Sequence, residues 1–237
     1  MRFEALASSS HGNSYIVSDD CTCILIECGV SHKKLQQLSG FKITAFDGCL
    51  ISHEHKDHAG CVQQLLKDGV PVYMSQGTAR ALELPETLLE LATEMESGVQ
   101  FQIGSMDILP FGVFHDAQEP LGFLIRSRID EEVLAYAIDT VNIPYNFPGV
   151  NILAVEANFD QAILDRCERM PEKVRRRISN THMEIGMLCR CLERMDLSRC
   201  REIHLMHLSD ATSHEGHFIN KVARTAGPKI RVEAARR

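Results

Sequence analysis

Positions 52–60 read Ser-His-Glu-His-Lys-Asp-His-Ala-Gly, directly after the apolar run Cys49-Leu50-Ile51. Three imidazoles and two carboxylates fall between His53 and His58. His53 and His55 are two apart, so they diverge on a helix but share a side in extended chain. Asp57 and His58 follow where the chain turns into a helix. This spacing presents two imidazoles to one ion and a carboxylate with an imidazole to a second. Imidazole and carboxylate together suit zinc, manganese or iron. The alternative is a chance surface cluster of histidine. Its density, immediately after a strand that reads as buried, argues against that.

Two ions need more donors than this stretch supplies, and the places to look are the C-terminal ends of other strands. His115 ends Pro-Phe-Gly-Val-Phe, Asp139 ends Val-Leu-Ala-Tyr-Ala-Ile, and His207 ends Ile-His-Leu-Met. Any one of them reads as a capping or hydrogen-bonded residue. Together they hold equivalent places on three strands. His204 lies three before His207, faces the other side of that strand and is assigned a structural role.

The elements that must position these side chains alternate along the chain. Residues 2–8, 13–18 and 21–29 read as three early strands, and 31–40 as a short helix capped by Ser31 and closed by Gly40. Residues 46–52 form a buried strand, 59–69 a helix closed by Gly69, and 71–75 a strand. Residues 78–97 read as helix interrupted at Pro85. Strands then run over 98–104, 106–115, 121–127, 132–139 and 151–158. Helices follow over 161–170, 171–179 and 183–195, then a strand over 201–209, a helix over 215–227 and a last strand over 229–235. Strand groups followed by helices, twice over, predict an α/β protein with two sheets face to face and helices outside. No linker or repeat divides the chain, so 1–237 reads as one domain.

Composition narrows the class. Of the 237 residues, 44% are hydrophobic and 24% charged, an ordinary globular balance. Apolar runs are strand-sized, so no membrane span is expected. The first twelve residues lack the basic and apolar regions of a signal peptide, which points to a cytoplasmic protein. The nine cysteines include no CxxC pair, so reduced thiols are expected rather than disulfides or structural zinc. Net charge is −7, unevenly placed. Residues 1–159 carry 9 Lys and Arg against 21 Asp and Glu, giving −12, and residues 160–237 carry 16 against 11, giving +5. The densest basic run, Lys173-Val-Arg175-Arg176-Arg177, is either a solvated helix face or an electropositive rim for a phosphate backbone.

The pattern His53-x-His55-x-Asp57-His58, with His115, Asp139 and His207, resembles the metallo-β-lactamase fold. The wider text resembles its YycJ/WalJ-type exonuclease branch: SSSHGNSYIV, ILIECG, LISHEHKDHAG, PFGVFHDAQEPLGF, AYAIDT, VEANFD and HLS. The resemblance implies a four-layer αβ/βα sandwich with two divalent ions, zinc or manganese, at one edge. His53, His55 and His115 would hold one ion, Asp57, His58 and His207 the other, and Asp139 would bridge them. Two ions about 3.5–4 Å apart share a hydroxide at neutral pH and clamp the oxygens of an in-line displacement at a phosphodiester. The sequence departs from the branch at Glu27, where Asp is usual, at His11, where a small residue is usual, at Thr181 before His182, where Gly is usual, and in lacking an Asn-rich tail after His207-Leu208-Ser209. None of these removes a ligand.

The leaving oxygen needs a proton, and His182 held by Glu156 is the candidate acid, a pair that resembles the Glu–His pair of tRNase Z in the same superfamily. With Asp57 they make the catalytic group. The bland readings are a helix-cap neighbour for His182 and an ion pair with Arg-rich helices for Glu156. Ser10, Asn13 and Ser14 lie on an early turn and are candidates to touch a phosphate, against ordinary turn chemistry. Arg175 and Arg176 are candidates for the nucleic-acid rim. The favoured function is a metal-dependent DNA exonuclease, with DNA preferred over RNA as partner. The alternative is a small-molecule hydrolase acting on thioesters, lactones or cyclic phosphodiesters, which needs no basic C-terminal third. Redox di-iron relatives replace the second His of the motif by Glu, and His55 argues against that class. The sequence sets no oligomeric state.

Overall fold

Short, β-branched and apolar segments broken by turn residues lay down the strands of the first half of the chain, with short helices between them. In a computed structural model describing residues 1–235, the chain divides into two compact units. The first comprises Met1–Gly112 and Ala117–Glu132, and the second Val113–Asp116 and Val133–Ala235.

In the first unit, β1 (Arg2–Ala7), β2 (Ser14–Ser18), β3 (Cys23–Ile26), β4 (Gly48–Leu50), β5 (Val72–Met74) and β6 (Ala92–Glu94) form a sheet in sequence order. β1, β2 and β3 pair antiparallel, and β3 through β6 pair parallel. The parallel strands need crossovers, and helices supply them. α1 (His32–Leu38) joins β3 to β4, and its Ser31 cap accepts from the Lys34 N–H at 3.3 Å. α2 (Lys56–Ala59) and α3 (Val62–Lys67) join β4 to β5. α4 (Gln76–Ala81) and α5 (Glu86–Leu89) join β5 to β6. Leu25, Leu35, Cys49, Ile51, Leu65 and Val72 form the core between sheet and helices. Complete burial of a leucine or isoleucine such as Leu65 or Ile51 contributes about 1.5–3 kcal/mol. The strand β6 corrects the sequence reading, which ran helix through it. The helix stops at Leu89, and Ala92-Thr93-Glu94 pairs with Val72-Tyr73-Met74. A long-range ladder overrides local helix propensity there.

A meander of β7 (Phe101–Ile103), β8 (Met106–Gly112) and β9 (Leu121–Ser127) completes this unit, antiparallel throughout. Tyr73 on β5 stacks on Phe101 at 5.3 Å between ring centroids. Asp19 ties the meander to the β2–β3 turn. One carboxylate oxygen accepts the Cys21 and Thr22 N–H groups, each at 2.8 Å, and the other accepts the Ser105 and Ser127 hydroxyls, each at 2.7 Å. Burial raises the pKa of Asp19, but these donors outweigh it and bring it down to about 2.

In the second unit, β10 (Val133–Ala137), β11 (Ile152–Glu156), β12 (Glu202–Met206) and β13 (Arg231–Ala234) are all parallel, in the order β13-β12-β11-β10. β11 is buried at every position, the pattern of a strand covered on both faces. α6 (Gln161–Arg166), α7 (Glu172–Thr181) and α8 (Ile185–Leu192) lie between β11 and β12, and α9 (Glu215–Ala226) between β12 and β13. His204 on β12 is buried between Glu202, 3.0 Å from Nε2, and Glu233, 3.1 Å from Nδ1, in keeping with its structural assignment. Among the described residues, no helix is long and apolar enough to cross a membrane, and all nine cysteines are free.

Candidate active site

Each unit gathers part of the predicted constellation. In the first, β4 runs out at Leu50, and the chain stays extended through Ser52 and His53 before turning into α2. That extension puts His53 and His55 on one side: His53 Nε2 lies 3.1 Å from His55 Nδ1. Ser52 Oγ lies 2.9 Å from His53 Nδ1 and fixes the ring so that Nε2 faces outward to His55. Zinc–nitrogen bonds of about 2.0–2.1 Å in a tetrahedral set separate two donor nitrogens by about 3.3–3.4 Å. The observed spacing therefore suits two imidazoles sharing one ion.

His58, in α2, is buried, with its ring centroid 4.2 Å from that of His53. Its Nε2 lies 3.4 Å from Asp57 Oδ2, and its Nδ1 3.5 Å from Glu27 Oε1. Glu27 is fully buried, and its other oxygen accepts the Ser52 N–H at 3.3 Å. One carboxylate thus braces both the loop carrying His53 and the ring of His58, the kind of outer contact that orients a metal ligand. The sequence reading noted Glu27 only as a departure. A charge directly following the apolar strand Cys23-Ile24-Leu25-Ile26 was the available signal. Asn13 and Ser14 are also buried, which takes both out of the predicted phosphate-contacting turn. Asn13 Oδ1 accepts from Tyr15 at 2.9 Å, and its amide donates to the Asp57 carbonyl at 3.2 Å. Ser10 alone of the three is exposed. At Gly29, a Cβ would lie 1.6 Å from the Asp57 carbonyl oxygen, so only glycine lets the β3 exit approach the ligand-bearing backbone.

In the second unit, His115 Nδ1 lies 2.8 Å from the Thr181 carbonyl, which can only accept. Nδ1 therefore carries the proton, and in the neutral ring Nε2 presents a lone pair. That Nε2 faces Asp139 Oδ2 and Asp116 Oδ1, each at 3.3 Å. Lone pairs converging in this way are what a cation relieves, so the donor set fits a metal ion. His207 Nδ1 lies 2.7 Å from Asp139 Oδ1 and 3.1 Å from Glu156 Oε1. The same Glu156 oxygen lies 2.7 Å from His182 Nδ1. Donor atoms of Asp139, Glu156, His182 and His207 all fall within 4.8 Å of one another. The second Glu156 oxygen accepts the Thr140 N–H at 2.9 Å and the Met183 N–H at 3.1 Å, which locks the carboxylate.

Burial opposes a charge on His182, but Glu156 and Asp139 outweigh it and raise its pKa to about 9. Burial pushes Glu156 upward, the His182 charge pulls it down, and the balance lies below the usual value. Asp139 and His207 sit just past their strand ends with φ of 47° and 53°, and Glu27 has φ of 64°. Non-glycine residues rarely adopt this left-handed backbone, and they concentrate at functional sites.

The basic run of α7 is divided in use. Arg177 forks onto Asp116 at 2.8 and 3.2 Å, and Arg175 donates to the Asp165 carbonyl at 3.3 Å. Lys173 and Arg176 are exposed. The first unit thus brings together His53, His55, Asp57 and His58. The second brings together His115, Asp139, Glu156, His182 and His207. Sequence reasoning missed Ser52, Asp116 and Asn158, whose amide donates to the His207 carbonyl at 2.9 Å.

Residues 22–207 match the model of the beta-lactamase superfamily domain. The chain is similar to exodeoxyribonuclease YycJ of Bacillus anthracis, 30% identical over 226 residues that cover 88% of this chain and 83% of that protein. It is similar to exodeoxyribonuclease WalJ of Streptococcus pneumoniae, 29% identical over 223 residues covering 88% and 81%. Its fold is that of YhfI from Bacillus subtilis, a metallo-beta-lactamase fold protein, with a TM-score of 0.72, 14% identity and coverage of 99% and 96%.

Proposed function

The chain belongs to the beta-lactamase superfamily, with its mixed α/β fold of two sheets and helices, and from that premise we propose how its residues act. It is a metal-dependent hydrolase of the phosphodiesterase and nuclease kind. We propose that it is a DNA exonuclease with two divalent ions, zinc or manganese, and that residues 1–237 work as one domain. The observation that carries the metal requirement is His115: its Nδ1 proton goes to Thr181, while its Nε2 faces two carboxylates.

In this reading His53, His55 and His115 would hold one ion, Asp57, His58 and His207 would hold the other, and Asp139 would serve as a ligand shared by the two. Ions held there would activate water and neutralise the charge that shields a phosphodiester from attack. The protein's own part is to orient and to move a proton. Ser52 and Thr181 fix the rings of His53 and His115 through Nδ1. Glu156 keeps His182 protonated at neutral pH, and His182 delivers that proton to the leaving oxygen, a step worth about 10²–10⁴-fold. Lys173 and Arg176 on α7 supply exposed charge for a phosphate backbone.

The test is a nuclease assay on end-labelled single- and double-stranded DNA and RNA with Mn²⁺, Mg²⁺ and Zn²⁺ compared. Stepwise shortening of DNA that depends on an added ion is the expected result. Turnover confined to a small thioester, lactone or cyclic phosphodiester would replace this reading with the small-molecule one.

A further inference from the structure

The first unit contains a cavity of about 440 Å³ beside Asp57, lined by Ser10, His11, Ser31 and Lys56 over a floor that includes Gly29 and Gly60. Resting on the nuclease reading above, we propose that this cavity receives the terminal phosphomonoester of the substrate strand and so selects phosphorylated ends.

Four observations support this. First, the lining is chemically one-sided. Lys56 and His11 are cationic or hydrogen-bond donors, Ser10 and Ser31 offer hydroxyls, and the only carboxylate is Asp57, which the metal assignment already commits to a cation. No ion pair engages Lys56 or His11 among the described residues. Second, the cavity is preformed. The Asn13 N–H donates to the Asp57 carbonyl at 2.8 Å, Gly29 N–H to the Asn13 carbonyl at 2.9 Å, and Cys28 N–H to the His58 carbonyl at 2.7 Å. The walls are therefore tied to the backbone of two proposed metal ligands, and an anion seated there stands in a fixed relation to them. Third, a Cβ on Gly12, at φ +156°, would lie 2.8 Å from both the Gly29 carbonyl oxygen and a Val30 methyl, so the His11 turn seats against the cavity floor only through glycine. Fourth, the volume lies in the range of small-ligand sites.

A terminal phosphate carries nearly two charges at neutral pH, whereas an internal diester carries one. A site pairing an ammonium with an imidazole and two hydroxyls favours the more highly charged end, since Coulomb attraction to the ammonium scales with the charge of its partner.

The experiment measures kcat/KM on duplexes ending in 5′-phosphate, 3′-phosphate or hydroxyl, for the metal-loaded wild type and for Lys56→Gln, Lys56→Arg and His11→Ser. One phosphorylated end should be favoured by about tenfold or more through KM, and which end it is identifies the polarity. Lys56→Gln and His11→Ser should erase that ratio, and Lys56→Arg should retain most of it, at unchanged metal content. Equal kcat/KM for phosphorylated and hydroxyl ends, with cutting intact, overturns the proposal. Calorimetric binding of dAMP against deoxyadenosine keeps the two readings apart. If no strand is cut but dAMP binds over deoxyadenosine and Lys56→Gln removes the difference, the nuclease reading fails and the phosphate site stands. Indifference to the phosphate, or to Lys56, overturns the site.

Discussion

Replacing Glu156 by Gln tests the proton-transfer assignment at its root. The amide keeps the volume, and its oxygen can still accept the Thr140 and Met183 N–H groups, so the β11 end retains its anchors. What disappears is the negative charge 2.7 Å from His182 Nδ1. That charge is the chief influence lifting His182 to about 9 from an ordinary 6.5, so the substitution removes up to about 2.5 pKa units. At pH 7.5 the protonated share of His182 then falls from above nine-tenths to roughly one-tenth. Turnover on DNA should drop about tenfold at pH 7.5, and the high-pH limb of its profile should move toward acid. A bis(nitrophenyl) phosphate, whose leaving group needs little protonation, should show only a small change. Both profiles are recorded at saturating metal, because Glu156 also lies 3.1 Å from His207. An unmoved high-pH limb on DNA, or equal losses on both substrates, would refute the role of the Glu156–His182 pair.

Two further predictions concern stability and the rim. The folded-state pKa of Asp19 lies at about 2, below its ordinary 3.8, so its contribution is full above pH 3.8 and is lost as pH falls toward 2. The depression corresponds to about 2 kcal/mol, so Asp19→Asn should destabilise by that order in urea unfolding at pH 7 and by much less near pH 2; a pH-independent difference would show that packing dominates. Changing Lys173 and Arg176 together to Gln should lower the slope of log affinity for DNA against log salt by up to about 2, since fewer counterions are released, whereas an unchanged slope would make them a solvated face.

Much of the site was legible because its chemistry lies in residue type. Imidazoles and carboxylates at strand ends are visible without coordinates, and the alternation of strand and helix located those ends. The supporting contacts were not legible in the same way. His115 is fixed by the carbonyl of Thr181, a backbone group that leaves no mark in the sequence. Arg177 reads as a nucleic-acid contact until Asp116, 61 positions away, is found beside it. Asn13 reads as a turn residue until Tyr15 and the Asp57 carbonyl claim its amide. β6 was lost to helix propensity because its reason for being a strand is β5. In each case the deciding partner is distant in sequence.

The central claim is that the chain's strand-end imidazoles and carboxylates hold divalent metal. Elemental analysis of protein purified without chelator tests it most directly, with His207→Ala and His182→Ala measured alongside the wild type. Two equivalents per chain are predicted for the wild type and for His182→Ala, and fewer for His207→Ala. A wild-type chain with no transition metal, and no activity regained when Zn²⁺ or Mn²⁺ is added, would contradict the claim.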